Sequence, residues 1–313
     1  MFRLIFFRLV AAVPVLVLVA VMVFLMLRLA PGDPAIILAG DHATAEMVAA
    51  IRTHLGLDRS LMEQFMTWMG LILTGDFGTS VFSQQPVLTL IGQRVEPTLS
   101  LALTTLIFSI VVAVPAGAVA AARHGGWIDR SIMTVSVAGF SIPAFVLGYI
   151  LIYVFAMRLG VLPVQGYVSF RTDVVDFFRR LALPTLTLSL IYIALFARTT
   201  RSSVLEVLGE DFIRTAHAKG ISDSRVLLHH ALRNAAIPIV SVVGIGFALM
   251  VGGVVVTETV FNIPGIGRLV VDAVLSRDYP VIQAVILLLA VVYVAINLLT
   301  DIAYILIDPR ISY

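Results

Sequence analysis

Residues 234–257 read NAAIPIVSVVGIGFALMVGGVVVT, and no side chain in this stretch carries a charge. A helix that crosses roughly 30 Å of hydrocarbon at about 1.5 Å per residue needs about 20 apolar residues. This stretch is therefore long enough and apolar enough to span a bilayer as one α-helix.

Five further charge-free stretches of this kind are spread along the chain. They cover residues 9–27, 97–122, 131–157, 181–197 and 279–300, and the last continues past Asp301 to Ile307. The sequence therefore predicts an all-α polytopic membrane protein, with six transmembrane helices in a single domain over residues 1–313. Stretch 9–27 is longer than the apolar region of a cleavable signal peptide, and no A-x-A site follows it. We therefore expect it to be retained as an anchor.

Composition supports this class of protein. Of the 313 residues, 60% are apolar and 13% are charged, whereas a soluble domain carries roughly 25% charged residues. The mean hydropathy is +1.04. The net charge of +2 is too small to indicate a nucleic-acid partner, and the lack of cysteine excludes disulfides and thiol chemistry.

Charge distribution predicts the orientation of the chain. Six spans place both termini on one side, and short loops with excess Lys and Arg face the cytoplasm. Long loops follow this rule weakly, so the 28–96 segment is set aside. Eleven basic residues then lie on the side of the termini and six on the other side. We expect both termini in the cytoplasm and 28–96 outside it.

Two loops are long enough to carry function. The extracytoplasmic segment contains an amphipathic stripe of Leu61, Phe65, Trp68, Met69 and Ile72. In the cytoplasmic segment 198–233, which we call the elbow, Ser203 is expected to cap a helix running to Lys219. Gly220 would end that helix, and Ser222 or Asp223 would start a second one. Leu208, Phe212 and Ala216 would form an apolar ridge on the first helix, and such a ridge requires a partner.

Enzyme motifs are absent from the sequence. It contains no H-E-x-x-H, G-x-S-x-G, Walker lysine or Cys/His cluster, so we expect no catalytic residue, metal site or cofactor on this chain. Asp301 is the one carboxylate within a predicted span and lies near its end, whereas ion-driven carriers hold ionisable groups near the midplane. Energy for uphill transport would therefore come from another chain. A secondary carrier, a channel and a membrane scaffold remain as alternatives.

The elbow carries a recognisable motif. Arg214-Thr215-Ala216 is followed by three residues, by Gly220, and after nine more residues by His230-Ala231-Leu232-Arg233. This resembles the E-A-A…G coupling motif of ABC permeases, of which Ala216, Gly220 and Leu232 match while the first Glu, the Ile and the Pro do not. Other motifs agree: Pro31-Gly32-Asp33-Pro34, Gly75-Asp76-Phe77-Gly78, Gly139-Phe140-Ser141-Ile142-Pro143, Pro264-Gly265-Ile266-Gly267 and Asp308-Pro309-Arg310. Together they resemble the first permease subunit of peptide-type ABC importers, the dipeptide, oligopeptide, nickel and glutathione branch.

The resemblance implies a type I importer permease in a bacterial inner membrane, forming half of a pathway for peptides or peptide-like solutes. It implies a second homologous permease, an extracytoplasmic solute-binding protein, and two cytoplasmic ATPase subunits that hold ATP and Mg²⁺. Nickel complexes, glutathione and opines remain alternative cargoes. Coupling to the ATPase would involve the elbow residues Leu208, Phe212, Arg214, Thr215, Ala216, Lys219, Gly220 and Leu232.

Two further sets of residues are candidates. Polar side chains inside the predicted spans would line the pathway: Thr104, Ser109, Ser136, Ser141, Tyr192, Ser241 and Asn297. The loop from Glu258 to Pro280 carries charges of alternating sign that would orient the binding protein: Arg268, Asp272, Arg277 and Asp278. A re-entrant connector that plugs the pathway is the alternative for this loop.

Overall fold

The computed structural model describes residues 2–29, 36, 44–54 and 57–307. Two of the motifs quoted above, those at 31–34 and 308–310, lie outside the described residues. No strand occurs in the described ranges, where an isolated antiparallel bridge joins Thr79 to Pro86. We number the helices α1 (Phe2–Leu29), α2 (Ala45–His54), α3 (Leu61–Leu73), α4 (Val87–Ala122), α5 (Trp127–Ser141), α6 (Ala144–Leu151), α7 (Val174–Leu208), α8 (Asp211–Ala218), α9 (Asp223–Arg225), α10 (Leu232–Asn234), α11 (Ala236–Val260), α12 (Ile266–Leu275) and α13 (Tyr279–Ile307). Two π-helical segments are interposed, Ile152–Arg158 after α6 and Val226–Ala231 between α9 and α10.

Five helices are long and apolar enough to cross a membrane: α1, α4, α7, α11 and α13. The third predicted span is not the continuous helix expected over 131–157. It is a pair, α5 followed by α6 with its π-helical extension, bent by 100° at the break. The pair counts as a sixth span if its halves cross together.

The bend has a local cause in the sequence. Ile142, between the two helices, is extended at φ −90° and ψ 123°, and Pro143 follows it. A proline disfavours helical geometry at the residue before it because its ring clashes with that residue's backbone. Hydropathy depends on the polarity of side chains and not on backbone geometry. The charge-free stretch 131–157 was therefore predicted to be one continuous span.

The chain divides into two compact units. The first comprises Met1–Ile5, Arg94–Arg268 and Tyr293–Tyr313. Its core is centred on α7, whose Leu181, Leu188 and Phe196 are buried together with Met250 and Val254 of α11. Small residues allow the close approach: a Cβ on Gly246 would lie 2.5 Å from the Phe196 ring.

The second unit comprises Phe6–Gln93 and Leu269–Val292. Ser60 caps α3 in a capping box with Glu63, which satisfies two otherwise open backbone donors. The predicted stripe on α3 then packs on α1, where the Phe24 ring lies 5.3 Å from Phe65 and 5.7 Å from Trp68. Packing within the chain therefore accounts for the aromatic part of this stripe.

Candidate functional site

The first helix of the elbow does not begin where the sequence indicated. Ser203 is buried inside α7, which continues without interruption to Leu208. No Gly or Pro occurs in 198–208, so nothing in that segment stops the helix until Gly209. The elbow helix is therefore the shorter α8, which begins at Asp211. The predicted cap at Ser203 is wrong.

Gly220 ends α8, as predicted. Its φ is +75°, a conformation in which glycine carries no steric penalty. The Gly220 N–H donates to the His217 carbonyl at 2.9 Å, and the Ile221 N–H donates to the Ala216 carbonyl at 3.2 Å. This pair of bonds satisfies carbonyls that the helix end would leave open. Ser222 follows in an extended conformation, and α9 begins at Asp223, as predicted.

The predicted apolar ridge is mostly buried within the elbow itself. Ala216 packs with Ile213 and Val226, which brings the second half of the elbow against the first. Leu208 is half-buried against the same cluster. Phe212 alone of the three ridge residues is exposed, at 43%. The ridge was expected to need a partner chain, and the elbow's own fold supplies most of that cover.

The exposed surface of the elbow is mixed in character. Among the other coupling candidates, Arg214, Thr215, Lys219 and Gly220 are exposed and Leu232 is half-buried. Arg214 forms an exposed ion pair with Asp211 at 3.2 Å. Leu228, which the sequence pattern did not single out, is 58% exposed. Phe212 and Leu228 are therefore the large apolar side chains of the elbow that are exposed.

The seven predicted pathway residues have different surroundings in the structure. Thr104 lines a cavity of about 610 Å³ between α4 and α7, with Phe108, Phe178, Leu181 and Thr185. The Thr104 and Thr185 hydroxyls are 3.0 Å apart.

The other pathway candidates lie elsewhere. Ser109, Ser136 and Tyr192 are buried inside the first unit. Ser241 is half-buried and accepts a hydrogen bond from the Tyr304 hydroxyl at 2.8 Å. Ser141 and Asn297 are exposed and bond to backbone carbonyls of their own helices. Polarity within an apolar span therefore did not identify one common surface.

A polar group that the sequence reading missed lies on the same helix as Thr104. Glu96 accepts hydrogen bonds from the hydroxyls of Ser169 at 2.5 Å and Tyr167 at 3.1 Å. The hydroxyl of Ser100, one turn before Thr104, lies 3.1 Å from the Tyr167 hydroxyl. Burial raises the pKa of Tyr167 above its ordinary value. The spacing of Glu96, Ser100 and Thr104 by four residues is the signal that could have revealed this face.

The predicted docking residues divide into structural and exposed groups. Asp278 is buried and accepts hydrogen bonds from the Ser80 hydroxyl and, at 3.2 Å, from the Val81 N–H. Arg268 is half-buried and donates to the Asn262 side chain. Asp272 and Arg277 are exposed. The docking prediction is therefore wrong for Asp278, which holds the 80–83 turn. For Arg268, Asp272 and Arg277 it stays a prediction.

Glu258 was placed at the start of the loop, and the structure instead includes it in α11. Its side chain is fully buried. The carboxylate accepts from the Thr98 hydroxyl at 2.5 Å and from the Arg268 N–H at 3.0 Å. Across the part of the chain that the structure describes, no group of three or more His, Cys, Asp or Glu side chains is placed to hold a metal ion.

Comparison with known proteins gives consistent matches over almost the whole chain. The profile of the family described as "Binding-protein-dependent transport system inner membrane component" matches residues 113–313. The corresponding N-terminal profile, "Binding-prot-dependent transport system membrane comp, N-term", matches residues 1–102.

Curated relatives extend the match. The probable peptide ABC transporter permease protein y4tP of Sinorhizobium fredii is 57% identical over 306 residues, which cover 98% of each chain. The glutathione transport system permease protein GsiC of Escherichia coli K12 is 45% identical over 306 residues, covering 98% of this chain and 97% of that protein.

Among solved structures, the inward facing MetNI methionine ABC transporter matches with a TM-score of 0.60 at 18% identity. The match covers 71% of this chain and 97% of the other. It shows that the fold is that of a type I ABC importer permease and confirms the predicted fold class.

Proposed function

We propose a cargo and a coupling route for this chain, which belongs to the family of binding-protein-dependent transport system inner membrane components. It is the permease component of an ABC importer and is not an enzyme by itself. The proposed cargo is a peptide or peptide-like solute. The two relatives, a probable peptide permease and a glutathione permease, support this class.

Cargo selection is proposed to lie mainly outside this chain, in a solute-binding protein. The cavity beside Thr104 is lined almost entirely by apolar side chains, and its only polar lining residues are Thr104 and Thr185. Specific recognition requires fixed polar partners. The test is uptake of labelled di- and tripeptides, glutathione and Ni²⁺ by cells that lack and then regain this chain. Restored uptake of the labelled peptides supports the proposed cargo class, whereas restored uptake of Ni²⁺ alone contradicts it.

The observation that carries the coupling proposal is the elbow. It is a short helix, a glycine-hinged turn and a second helical arm, folded on its own small core and continuous with α7 and α11. We propose that Phe212 and Leu228 enter an apolar groove on a cytoplasmic ATPase subunit, in a helix-in-groove contact. Arg214, Thr215 and Lys219 would lie around that contact. The complete assembly would contain a second permease and two ATPase subunits that hold ATP and Mg²⁺.

Coupling is tested by ATP hydrolysis in the reconstituted importer, with and without cargo-loaded binding protein. Phe212→Asp places a charge where an apolar contact is proposed, and we expect cargo-stimulated hydrolysis to be lost. Phe212→Leu is the matched control and should retain it. Gly220→Pro should also uncouple, because proline fixes φ near −65° where the turn needs a positive value. Full stimulation in both Phe212→Asp and Gly220→Pro would contradict the elbow's role.

A docking role for the exposed charges Asp272 and Arg277 is proposed for the extracytoplasmic side. Opposite charges at a partner surface orient the encounter and make it sensitive to salt. Arg277→Glu should weaken association of the loaded binding protein and change its salt dependence, as measured by surface plasmon resonance on reconstituted importer. Asp278 is unsuitable for this test because its side chain is buried. Equal affinities over a range of salt would contradict docking at this loop.

A further inference from the structure

An ion pair between a buried carboxylate and a partly exposed guanidinium lies near the root of the elbow. Asp129, in the first turn of α5, is 3% exposed. Arg201 of α7 donates to it through both arms of its guanidinium, from Nε to Oδ1 at 2.5 Å and from Nη2 to Oδ2 at 2.8 Å. The Gly125 N–H adds a bond to Oδ2 at 2.9 Å, and His124 Nδ1 lies 3.0 Å from Arg201 Nη2. The turn between α4 and α5 is thus held to α7.

Close packing of the helices surrounds this pair. A Cβ on Gly117 of α4 would lie 2.5 Å from the Ala197 carbonyl oxygen of α7, so the two backbones are in direct contact. A cluster of buried side chains then joins α4, α7, the second arm of the elbow and α11: Ala121, Val204, Ala231, Ala235 and Ile239.

An ion pair is an uncommon choice for such a position. Removing the Asp129 carboxylate from water is costly, although the Arg201 side chain stays 23% exposed. Apolar residues of similar volume often give equal stability. A bidentate guanidinium–carboxylate pair instead fixes the orientation of the two side chains, because its planar geometry permits one relative orientation of the two groups. Apolar contacts between helices have no such orientation requirement.

We infer that Asp129 and Arg201 are positioning residues for energy coupling. They fix the α4–α5 turn to α7, so that a displacement of the elbow moves α4, α5 and α7 together. Without the pair, α7 can move while the α4–α5 turn lags behind. This inference rests on the proposed role of the elbow.

The test uses the complete reconstituted importer. Arg201→Lys keeps the charge and loses the fork, and Asp129→Asn keeps the shape and loses the charge. We expect cargo-stimulated ATP hydrolysis to fall at least about fivefold in both variants, a value typical of coupling between distant sites. Basal hydrolysis should stay within about twofold of the wild type. Arg180→Lys is the matched control, since Arg180 pairs with Asp176 on the same helix at 2.8 Å in a half-exposed position, and it should couple normally.

A double variant separates positioning from stability. Asp129→Leu with Arg201→Met replaces the pair by apolar side chains, and we expect assembly and thermal stability to persist while stimulation is lost. Retained stimulation in this variant or in Arg201→Lys would overturn the inference. Failure of every variant to assemble would also overturn it, because the pair would then be a folding element. Phe212→Asp and Gly220→Pro in the same preparations separate the two proposals: if both couple normally, the elbow proposal itself fails.

Discussion

Glu258 shows how one buried carboxylate organises a turn. Its oxygens accept from the Thr98 hydroxyl and the Arg268 N–H, while the Thr98 hydroxyl accepts from the Ile266 N–H at 2.8 Å. These groups satisfy donors in the first turn of α12, where an anion is also favoured by the helix dipole. A Cβ on Gly265 would lie 2.0 Å from the same carboxylate, so glycine is required there for space.

Thr98 is the residue through which this network can be tested. Thr98→Val leaves the Ile266 N–H without its acceptor, and an unsatisfied buried group costs about 1–3 kcal/mol. We therefore expect a lower thermal unfolding midpoint for the purified chain. Thr98→Ser keeps the hydroxyl and should unfold close to the wild type. A valine variant as stable as the serine variant would contradict this account.

Arg277 has a left-handed backbone, with φ +55°. It follows α12, and the Asp278 N–H closes the helix end by donating to the Ala273 carbonyl at 2.8 Å. A side chain in this conformation costs about 1–2 kcal/mol. Arg277→Gly should therefore raise the thermal unfolding midpoint, whereas Arg277→Ala should not. If docking uses the charge, both variants should bind the partner more weakly, which separates backbone strain from charge.

At the scale of elements, the bent pair α5–α6 has two sources of support. Pro143 disfavours helical backbone at Ile142, and both halves also pack closely. A Cβ on Gly139 would lie 2.8 Å from Leu190, and one on Gly148 would lie 3.2 Å from Val260. These close contacts pack each half of the pair against its neighbours.

Replacement of Pro143 by alanine distinguishes these sources. The chain contains no cysteine, so spin labels can be placed at Trp127 and Arg158 without a background. A straight helix between them would span about 47 Å, and a pair bent by 100° roughly 30 Å. We expect Pro143→Ala to shift the distance distribution towards the longer value. An unchanged distribution would show that packing alone maintains the bend.

At the scale of the whole molecule, orientation in the inner membrane is the property that single-cysteine labelling can decide. Ser224 in the elbow and Ser276 after α12 are both exposed. With the termini in the cytoplasm, as the distribution of Lys and Arg predicts, a membrane-impermeant maleimide should label Ser276→Cys in intact spheroplasts. It should label Ser224→Cys only after permeabilisation. The reverse pattern would place the termini outside.

The sequence alone determined the class of fold and its family. Apolar stretches, the turn at Gly220 and each short motif are local properties, and each can be read within about 25 residues because one span has that length. Hydropathy located α1, α4, α7, α11 and α13, and the motif around Gly220 identified the elbow. The break at Pro143 was also local, but hydropathy does not report backbone geometry.

The tertiary structure decided which side chains are exposed and can contact a partner. Asp278 bonds Ser80, 198 positions away, and Asp129 bonds Arg201, 72 positions away, so neither partner follows from local pattern. The sequence predicted an exposed ridge on the elbow because the periodicity of one helix does not indicate which later segment packs against it. Val226 covers Ala216 and leaves Phe212 open. Long-range partners decide burial, and burial separates a residue that supports the fold from one that can contact a partner.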